Sequence, residues 1–377
     1  KSRINTDRYT AEWLQRIAWG ALGLSTGGIE FKDEEAEAAF EKVVTQWAAF
    51  IQHQLGFGDR LTVIGGSRHL RHNSFGHNTM AEASAAYRIP LIETRLRGNF
   101  SMGFRAPDMN ELFFPGFGDP NLLPEESKMF EVGIEKDWWE RRLTGAISWY
   151  HTEVDQLIQT VRVSPTSSQP QNVAEAEMEG FELEGSVEPL RGLRFSTNWT
   201  YTDAEDETAD EELLRIPRNR VSFAVDGDFL KRWQLHLDAA IVSSREESVA
   251  TNRRLPTKGY KVVDAVLNFQ ATDTLLLYGR IENIFDRHYQ EVLGFPAPGT
   301  LFFIGGKVEI STVDESYGTN VEERLEALAS PRSRHLAWRG GCGSRPVTVG
   351  ETGHLEITGA AAGERARGFR PGGQAGA

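Results

Sequence analysis

Apolar and polar residues alternate with a period of two in successive segments between about residues 8 and 310. In the segment 233–243, one face carries Trp233, Leu235, Leu237, Ala239 and Ile241, and the other carries Gln234, His236 and Asp238. Segments 96–102, 130–135 and 177–187 repeat this pattern. Side chains point alternately to the two faces of a β-strand, so each segment is predicted to be a two-sided strand. Half-buried strands of a water-soluble sheet alternate in the same way, but a charged face that recurs in strand after strand favours a wide polar lumen.

The connectors between these segments alternate between short and long. Short turns are predicted at 56–59, 89–91, 139–141, 188–192, 230–232 and 271–274. Long polar loops are predicted at 32–42, 71–78, 105–127, 161–171, 203–217, 245–259 and 286–299. Tight turns at one rim and long loops at the other are typical of a transmembrane β-barrel. The pattern therefore predicts an all-β, antiparallel transmembrane barrel, with about 15 strands in this chain.

The composition narrows the class of protein further. Hydrophobic residues make up 40% of the chain, but no run of about 18 apolar residues occurs, which excludes a transmembrane helix and not a barrel. The net charge is −13, from 41 Lys and Arg against 54 Asp and Glu, and argues against a nucleic-acid partner. The single cysteine, Cys342, excludes an intrachain disulfide. Tryptophans beside predicted short turns fit an aromatic girdle at a membrane interface: Trp19, Trp138, Trp139 and Trp233.

Several motifs follow one another in a fixed order. FRAPDMNELF at 104–113 is followed by DPNLLPE at 119–125, NVAEAEMEGFE at 172–182, IPRNR at 216–220, ENIFDRHY at 282–289 and PGTLFFIGG at 298–306. In this order, the motifs resemble the C-terminal half of TonB-dependent outer-membrane receptors. Within that family, FFPGFG at 113–118 and the modest loop lengths most resemble cobalamin (vitamin B12) receptors, with siderophore receptors as the alternative.

The resemblance implies both a fold and a function. Residues 1–310 are expected to form the C-terminal part of a plugged barrel of about 22 strands, with about seven further strands and the plug lying outside this sequence. The family's activity is active import of a scarce large nutrient, here cobalamin or a ferric siderophore, across the bacterial outer membrane. The implied partners are the TonB energy-coupling complex acting through the plug, the small-molecule ligand, outer-membrane lipid and lipopolysaccharide, and the barrel assembly machinery. No cofactor is implied.

The candidate ligand-binding residues lie in two of the long loops. They are Arg105, Asp108, Asn110, Phe113, Phe114, Phe117 and Tyr289. Exposed aromatic side chains in a loop are costly unless they pack on one another or on a ligand. An Arg at a strand end also pairs commonly with a neighbouring carboxylate, such as Asp108 or Glu111. Asn283 and Asp286 are expected to close a turn through their side chains.

The remaining polar clusters do not predict a metal site or a catalytic site. The acidic loop at 203–212 would suit calcium by its carboxylates, but it lacks a fixed ligand spacing, and a solvated charge run explains it as well. His69, His72 and His77 flank one loop without the spacing of a metal site. No nucleophile elbow, phosphate-binding loop or dinucleotide motif occurs, so an enzyme is not predicted.

The segment 311–377 departs from the family pattern. It is rich in Gly, Ala and Arg, contains no Lys, and shows neither strand nor helix periodicity apart from one short helical stretch at 321–329. We expect it to be disordered, either as translation past the natural end or as a functional periplasmic tail. Two other functions remain open beside the transporter, namely a passive outer-membrane porin and a soluble β-rich binding protein. A requirement for detergent would separate the last of these from a barrel.

Overall fold

The described part of the chain is almost entirely β-strand. The computed structural model describes residues 5–37, 41–164, 166–250 and 253–308. Its strands are β1 (Asn5–Ala18), β2 (Leu24–Glu37), β3 (Glu41–Phe57), β4 (Leu61–His72), β5 (Gly76–Ile89), β6 (Thr94–Arg105), β7 (Glu125–Trp138), β8 (Leu143–Ser164), β9 (Ser167–Leu190), β10 (Leu193–Asp206), β11 (Glu211–Glu212), β12 (Asn219–Phe229), β13 (Trp233–Val242), β14 (Arg245–Ala250), β15 (Arg253–Thr257), β16 (Tyr260–Gln270), β17 (Leu275–Glu282), β18 (Gln290–Val292), β19 (Phe295–Pro296) and β20 (Leu301–Val308). The helical elements are α1 (Met109–Phe113) and two 3₁₀ turns, Gly20–Leu22 and Pro90–Ile92. Among the described residues, no helix is both long enough and apolar enough to span a membrane.

One antiparallel sheet contains 16 of these strands. Fifteen of them follow one another in the order β1 to β10, β12, β13, β16, β17 and β20, while β11 pairs only with β10. The prediction of an all-β antiparallel architecture is confirmed, and the continuous order agrees with the predicted number of strands. Two small hairpins, β14–β15 and β18–β19, lie outside the sheet. The order ends at β1 and β20, and no ladder between these two strands occurs in the described part of the chain.

The register of neighbouring strands gathers polar residues on one side of the sheet. Glu131 lies opposite Tyr150, Ser148 lies opposite Glu182, and Asp238 lies opposite Asp264. We call this side the polar face. Because the register is continuous from strand to strand, the charged face predicted separately in each strand becomes a single surface.

The opposite side, which we call the apolar face, carries large hydrophobic side chains that stay uncovered. Trp149 lies opposite Phe181 on this face, and Phe181, Phe223 and Ile51 are 46%, 47% and 60% exposed. A contiguous exposed apolar surface of this kind is costly in water. It is the surface that a barrel wall turns to lipid.

The predicted short turns all lie at the same rim. Each of the six joins two strands of the sheet, and a seventh turn, at residues 19–23, joins β1 to β2. Trp19 and Trp139 are more than half exposed there, and Trp233 packs against Phe269 on the apolar face, with ring centroids 4.4 Å apart. These positions fit an aromatic girdle at the membrane interface.

Three of the predicted long loops are wrong in extent, because the strands continue through them. Pairing persists to Glu37 with Glu41, to His72 with Gly76, and to Ser164 with Ser167. Strands β8 and β9 reach 22 and 24 residues, whereas about 9–11 residues suffice to cross a bilayer. Beyond the lipid both faces of a strand are wetted, so a polar strand has the composition of a loop.

The predicted boundary near residue 310 and the tail 311–377 lie outside the described residues.

Candidate functional site

The long connectors form folded structure at the rim opposite the short turns. The connectors 106–124, 207–218 and 283–300 join β6 to β7, β10 to β12 and β17 to β20. Between β13 and β16, the hairpin β14–β15 occupies most of the connector. Functional side chains concentrate on such loops because a rigid scaffold holds them while their sequence is free to vary.

Arg105 closes the base of the first connector. Its Nε lies 2.7 Å from Oε2 of Glu125, directly opposite on β7, and its Nη1 lies 3.1 Å from Oε2 of Glu111 on α1. The hydrogen bond from the guanidinium to the Glu125 carboxylate raises the pKa of Arg105 above its usual value, so the side chain stays charged. The expected pairing with Glu111 is present, whereas the pairing with Glu125 was not foreseen.

Asp108 and Glu111 fix the start of α1 through a capping box. The Asp108 carboxylate accepts hydrogen bonds from the backbone N–H groups of Asn110 and Glu111, and the Glu111 carboxylate accepts one from the backbone N–H of Asp108. This arrangement satisfies donors that a helix start leaves without partners. The Asp108 side chain is thereby committed to the loop, while Asn110 in the first turn is exposed.

The three phenylalanines of the first connector, Phe113, Phe114 and Phe117, are all half-buried. Lys42 Nζ lies 4.8 Å above the ring of Phe113. The Phe114 carbonyl accepts hydrogen bonds from the backbone N–H groups of Phe117 and Gly118. A Cβ at Gly118 would lie 2.7 Å from the backbone of Leu112, so only glycine permits this tight return.

The connector 106–124 is tied to the neighbouring strand pair. The amide of Asn172 on β9 accepts a hydrogen bond from the backbone N–H of Leu123 and donates to the carbonyls of Leu123 and Gln156. Glu125 Oε1 also accepts from the backbone N–H of Ile158 on β8. The segment 172–182, found in the sequence as a motif, therefore begins with a residue that anchors another loop.

The connector 207–218 and the connector between β13 and β16 are joined through an ion pair whose carboxylate is buried. Arg215 donates two-pronged hydrogen bonds to Glu247 on β14, with the shortest distance 2.7 Å, and the Glu247 side chain is only 4% exposed. Leu213, beside it, packs into a small core with Val154 and Ala176 from β8 and β9. Both connectors thus fold back onto the strand extensions.

Tyr289 lies in the last connector, apart in sequence from the other candidates. Its ring stacks on Tyr260 at the start of β16, with centroids 4.3 Å apart, and the Tyr260 hydroxyl donates to Glu291. Arg245 lies 5.7 Å from the Tyr260 ring and is buried. A cavity of about 580 Å³ opens beside the two tyrosines and is also lined by His288. Its volume falls in the range of small-molecule sites.

The turn chemistry predicted for Asn283 and Asp286 is confirmed. The Asn283 side chain accepts from the backbone N–H of Arg287, and the Asp286 carboxylate accepts from the backbone N–H of Thr300. Both residues have positive φ, 51° and 48°, which Asn and Asp tolerate better than most residues. These two side chains therefore shape the connector that carries Tyr289.

Several side chains of the acidic loop at 203–212 already bind other groups of the protein. Asp206 accepts hydrogen bonds from the backbone N–H groups of Thr208 and Ala209. Arg218 lies 3.3 Å from Asp203 and 2.8 Å from Glu212. Three of the acidic side chains thus serve a turn or ion pairs.

The site therefore comprises two clusters at one rim. Asp108, Asn110 and the three phenylalanines share the connector 106–124, whose base Arg105 closes, whereas Tyr289 belongs to the cavity beside β16. The sequence reasoning missed Glu125, Asn172 and Glu247. The first of these carried a usable signal, since Arg105 and Glu125 flank the same loop with opposite charges.

An antiparallel sheet with an exposed apolar face, a charged face, tight turns at one rim and folded loops at the other defines the wall of a membrane-spanning β-barrel. Residues 10–284 match the family model described as TonB dependent receptor-like, beta-barrel. The chain belongs to this family of TonB-dependent receptors. Its members are bacterial outer-membrane proteins that transport and do not catalyse reactions.

Two curated relatives carry the name Vitamin B12 transporter BtuB. The one from Photobacterium profundum is 28% identical over 305 residues, which cover 76% of this chain and 48% of the relative. The one from Vibrio vulnificus is 31% identical over 215 residues, which cover 56% of this chain and 33% of the relative. The chain thus spans at most about half the length of these relatives.

Solved structures share the fold at low sequence identity. The copper transporter OprC superposes with a TM-score of 0.69 at 18% identity, covering 81% of this chain and 57% of that one. A variant of the ferric enterobactin receptor PfeA from Pseudomonas aeruginosa gives 0.67 at 14% identity, covering 81% and 54%. These similarities extend to the fold alone.

Proposed function

We propose that the protein takes part in TonB-dependent import of a scarce, large nutrient across the outer membrane. This chain supplies barrel wall and extracellular loops. One observation carries the proposal: the long connectors at one rim of the sheet are folded, above all the connector 106–124, and the sheet matches the family's barrel. Loops held by capping boxes and ion pairs present side chains at low entropic cost, which favours binding.

The proposed ligand is cobalamin. Support comes from the relatives named as vitamin B12 transporters and from the aromatic side chains at the rim. Phe113, Phe114, Phe117 and Tyr289 offer apolar and stacking contacts, while Arg105 and Asn110 offer polar ones. A large ligand with a planar ring system and peripheral amides matches this combination of groups. A ferric siderophore is the alternative ligand.

The proposed coupling follows the family scheme. The polar face would surround a plug, and TonB would act on that plug from the periplasm. Charged pairs such as Arg95 with Glu135, at 2.6 Å, and Arg97 with Glu131, at 3.1 Å, give that face fixed polar contacts. Lipid and lipopolysaccharide would surround the apolar face. The barrel assembly machinery would insert the protein into the outer membrane.

Binding is tested first on the protein purified in detergent. Equilibrium dialysis with cyanocobalamin is expected to show saturable binding, and ferric enterobactin serves as the comparison ligand. Replacement of Phe114 by Ala is expected to weaken binding, whereas replacement of Phe223, on the lipid-facing side, by Ala leaves it unchanged. Saturable binding of ferric enterobactin alone would reassign the ligand and keep the receptor class.

Transport is tested in cells that lack their own outer-membrane cobalamin receptor. The encoded protein is expected to restore growth on low cobalamin, and removal of TonB is expected to abolish the growth. Uptake that persists without TonB would instead identify a passive porin. The two assays together separate a wrong ligand from a wrong mechanism.

A further inference from the structure

A histidine lies among carboxylates on the apolar face, just beyond the aromatic residues that mark the end of the lipid-facing band. His151 is the next residue after Trp149 on this side of β8, and it lies directly opposite Glu179 on β9. One step further out, Glu153 lies opposite Glu177 on the same side. The longest strand pair of the sheet therefore presents an imidazole and three carboxylates outside the membrane-spanning part.

The distances within this group suit a metal ion. His151 Nδ1 lies 3.3 Å from Oε1 of Glu177. One ligand atom from each of His151, Glu177 and Glu179 lies within 4.8 Å of the others. Around a tetrahedral zinc ion with bonds of about 2.0–2.1 Å, neighbouring ligand atoms are about 3.3 Å apart. The His151–Glu177 distance already has this value, and Glu179 lies close enough to supply a third ligand atom after a change of rotamer, with water as a fourth ligand.

The surroundings favour a cation and hold the histidine in place. Across β9, Glu177 lies opposite Glu205 on β10, which adds a further carboxylate to this surface. The His151 ring stacks against Trp149, with centroids 6.1 Å apart and planes at 17°. A ring oriented by packing loses less entropy when it binds a metal.

We propose that His151, Glu177 and Glu179 form a site for a divalent transition-metal ion, with Zn²⁺ as the best match. A nitrogen ligand combined with two carboxylates suits Zn²⁺ better than Ca²⁺ or Mg²⁺, which take oxygen ligands only. The site faces away from the polar face, so the ion does not lie on the transport path. It would tie β8 to β9 below the extensions that anchor the loops at the rim. The inference is independent of the proposed ligand.

The test is a Zn²⁺ titration of the detergent-purified full chain after treatment with a chelator, followed by calorimetry. His151→Ala and Glu177→Gln are each expected to lower the affinity of one binding event by at least about tenfold, since even indirect supports of metal ligands are worth that much. The matched control is His69→Ala, because His69 lies on the same face and contacts His77 at 3.2 Å, without a third ligand among the described residues. All variants keep Cys342, His335 and His354, so any binding by these residues is common to them.

A second measurement does not depend on how the variants fold. Co²⁺ added to the unmodified protein is expected to give the intense visible absorption of a tetrahedral site, and Zn²⁺ is expected to abolish it. Equal competition by Ca²⁺ would show a site of carboxylates alone and overturn the proposal. The same conclusion would follow if His151→Ala bound Zn²⁺ as tightly as the unmodified protein while His69→Ala did not.

Discussion

Arg105 ends β6, and its guanidinium spans the gap between Glu125 on β7 and Glu111 on α1. Both carboxylates are mostly buried, with side chains 14% and 17% exposed, whereas the Arg105 side chain is 46% exposed. Water therefore screens part of the interaction. Removal of the Arg105 cation would nevertheless leave two partly buried carboxylates close to each other. A buried charge that has lost its partner destabilises a protein strongly.

Arg105→Met is therefore expected to loosen the connector 106–124, at a cost of about 1–2 kcal/mol for the lost charged hydrogen bonds. Hydrogen exchange of the backbone amides in this connector is expected to speed up. Arg141→Met is the control, since Arg141 is 74% exposed and pairs with Asp137 at the end of β7. Equal exchange in the two variants would contradict this role for Arg105.

Tyr289 gives a pH-dependent prediction. Burial raises the pKa of its phenol, and the nearby charge of Glu291 adds to the increase. The folded pKa exceeds the unfolded value of about 10, so the neutral stacked form contributes stability below that pH. This contribution is lost as the pH rises through the folded value. A spectrophotometric titration of the protein minus that of Tyr289→Phe is expected to show ionisation above pH 10, and a midpoint at or below 10 would refute it.

At the scale of elements, the connectors are held by contacts between segments far apart in the sequence. Arg215 and Glu247 join the connector 207–218 to β14, and Ser248 accepts a hydrogen bond from the backbone N–H of Arg162 at the end of β8. Three elements at this rim thus support one another. Such contacts decide whether a loop is a preformed surface or a flexible chain.

Arg215→Met is expected to release this assembly, because the Glu247 carboxylate would remain buried without its cation. The measurement is limited proteolysis, in which cleavage within 207–218 and 245–257 is expected to accelerate at least severalfold. Lys128→Met is a suitable control, since Lys128 and Glu153 are both more than half exposed and 3.9 Å apart. Unchanged proteolysis of the Arg215 variant would show that the hydrophobic packing of Leu213 alone holds the connector.

At the scale of the whole molecule, the continuous register produces two faces with opposite solvent preference. Ser222 and Phe223 are neighbours in the middle of β12, yet the first lies opposite Asn198 and Ala240 on the polar face, and the second lies on the apolar face. One residue of displacement therefore changes the solvent of a side chain from water to hydrocarbon.

Phe223→Arg is expected to destabilise the protein in lipid by about 2–4 kcal/mol, the cost of a charge near the bilayer centre, while Ser222→Arg changes little. Urea unfolding of the two variants in phospholipid vesicles checks this difference. In a water-soluble sheet, Ser222→Arg would be the more destabilising of the two variants only if the charged face, which carries Ser222, were the buried one. Equal losses would therefore contradict the assignment of the two faces.

Much of this architecture follows from local patterns. Period-two alternation located the strands, the short connectors between them located the six turns, and the motif FRAPDMNELF marked the first folded connector. These features depend on neighbours in sequence, since alternation and turn geometry involve only a few residues at a time.

The sequence by itself determined the class of sheet, its two faces and the rim at which the loops lie, because a membrane requires an apolar residue at every second position of each spanning strand. Only the tertiary structure decided where the strands end and what holds the loops. Outside lipid that constraint disappears, so the polar extensions of β2, β3, β8 and β9 cannot be told from loops by composition. The partners Asn172 and Glu247 are likewise selected by loop packing, which brings together residues that no local pattern connects.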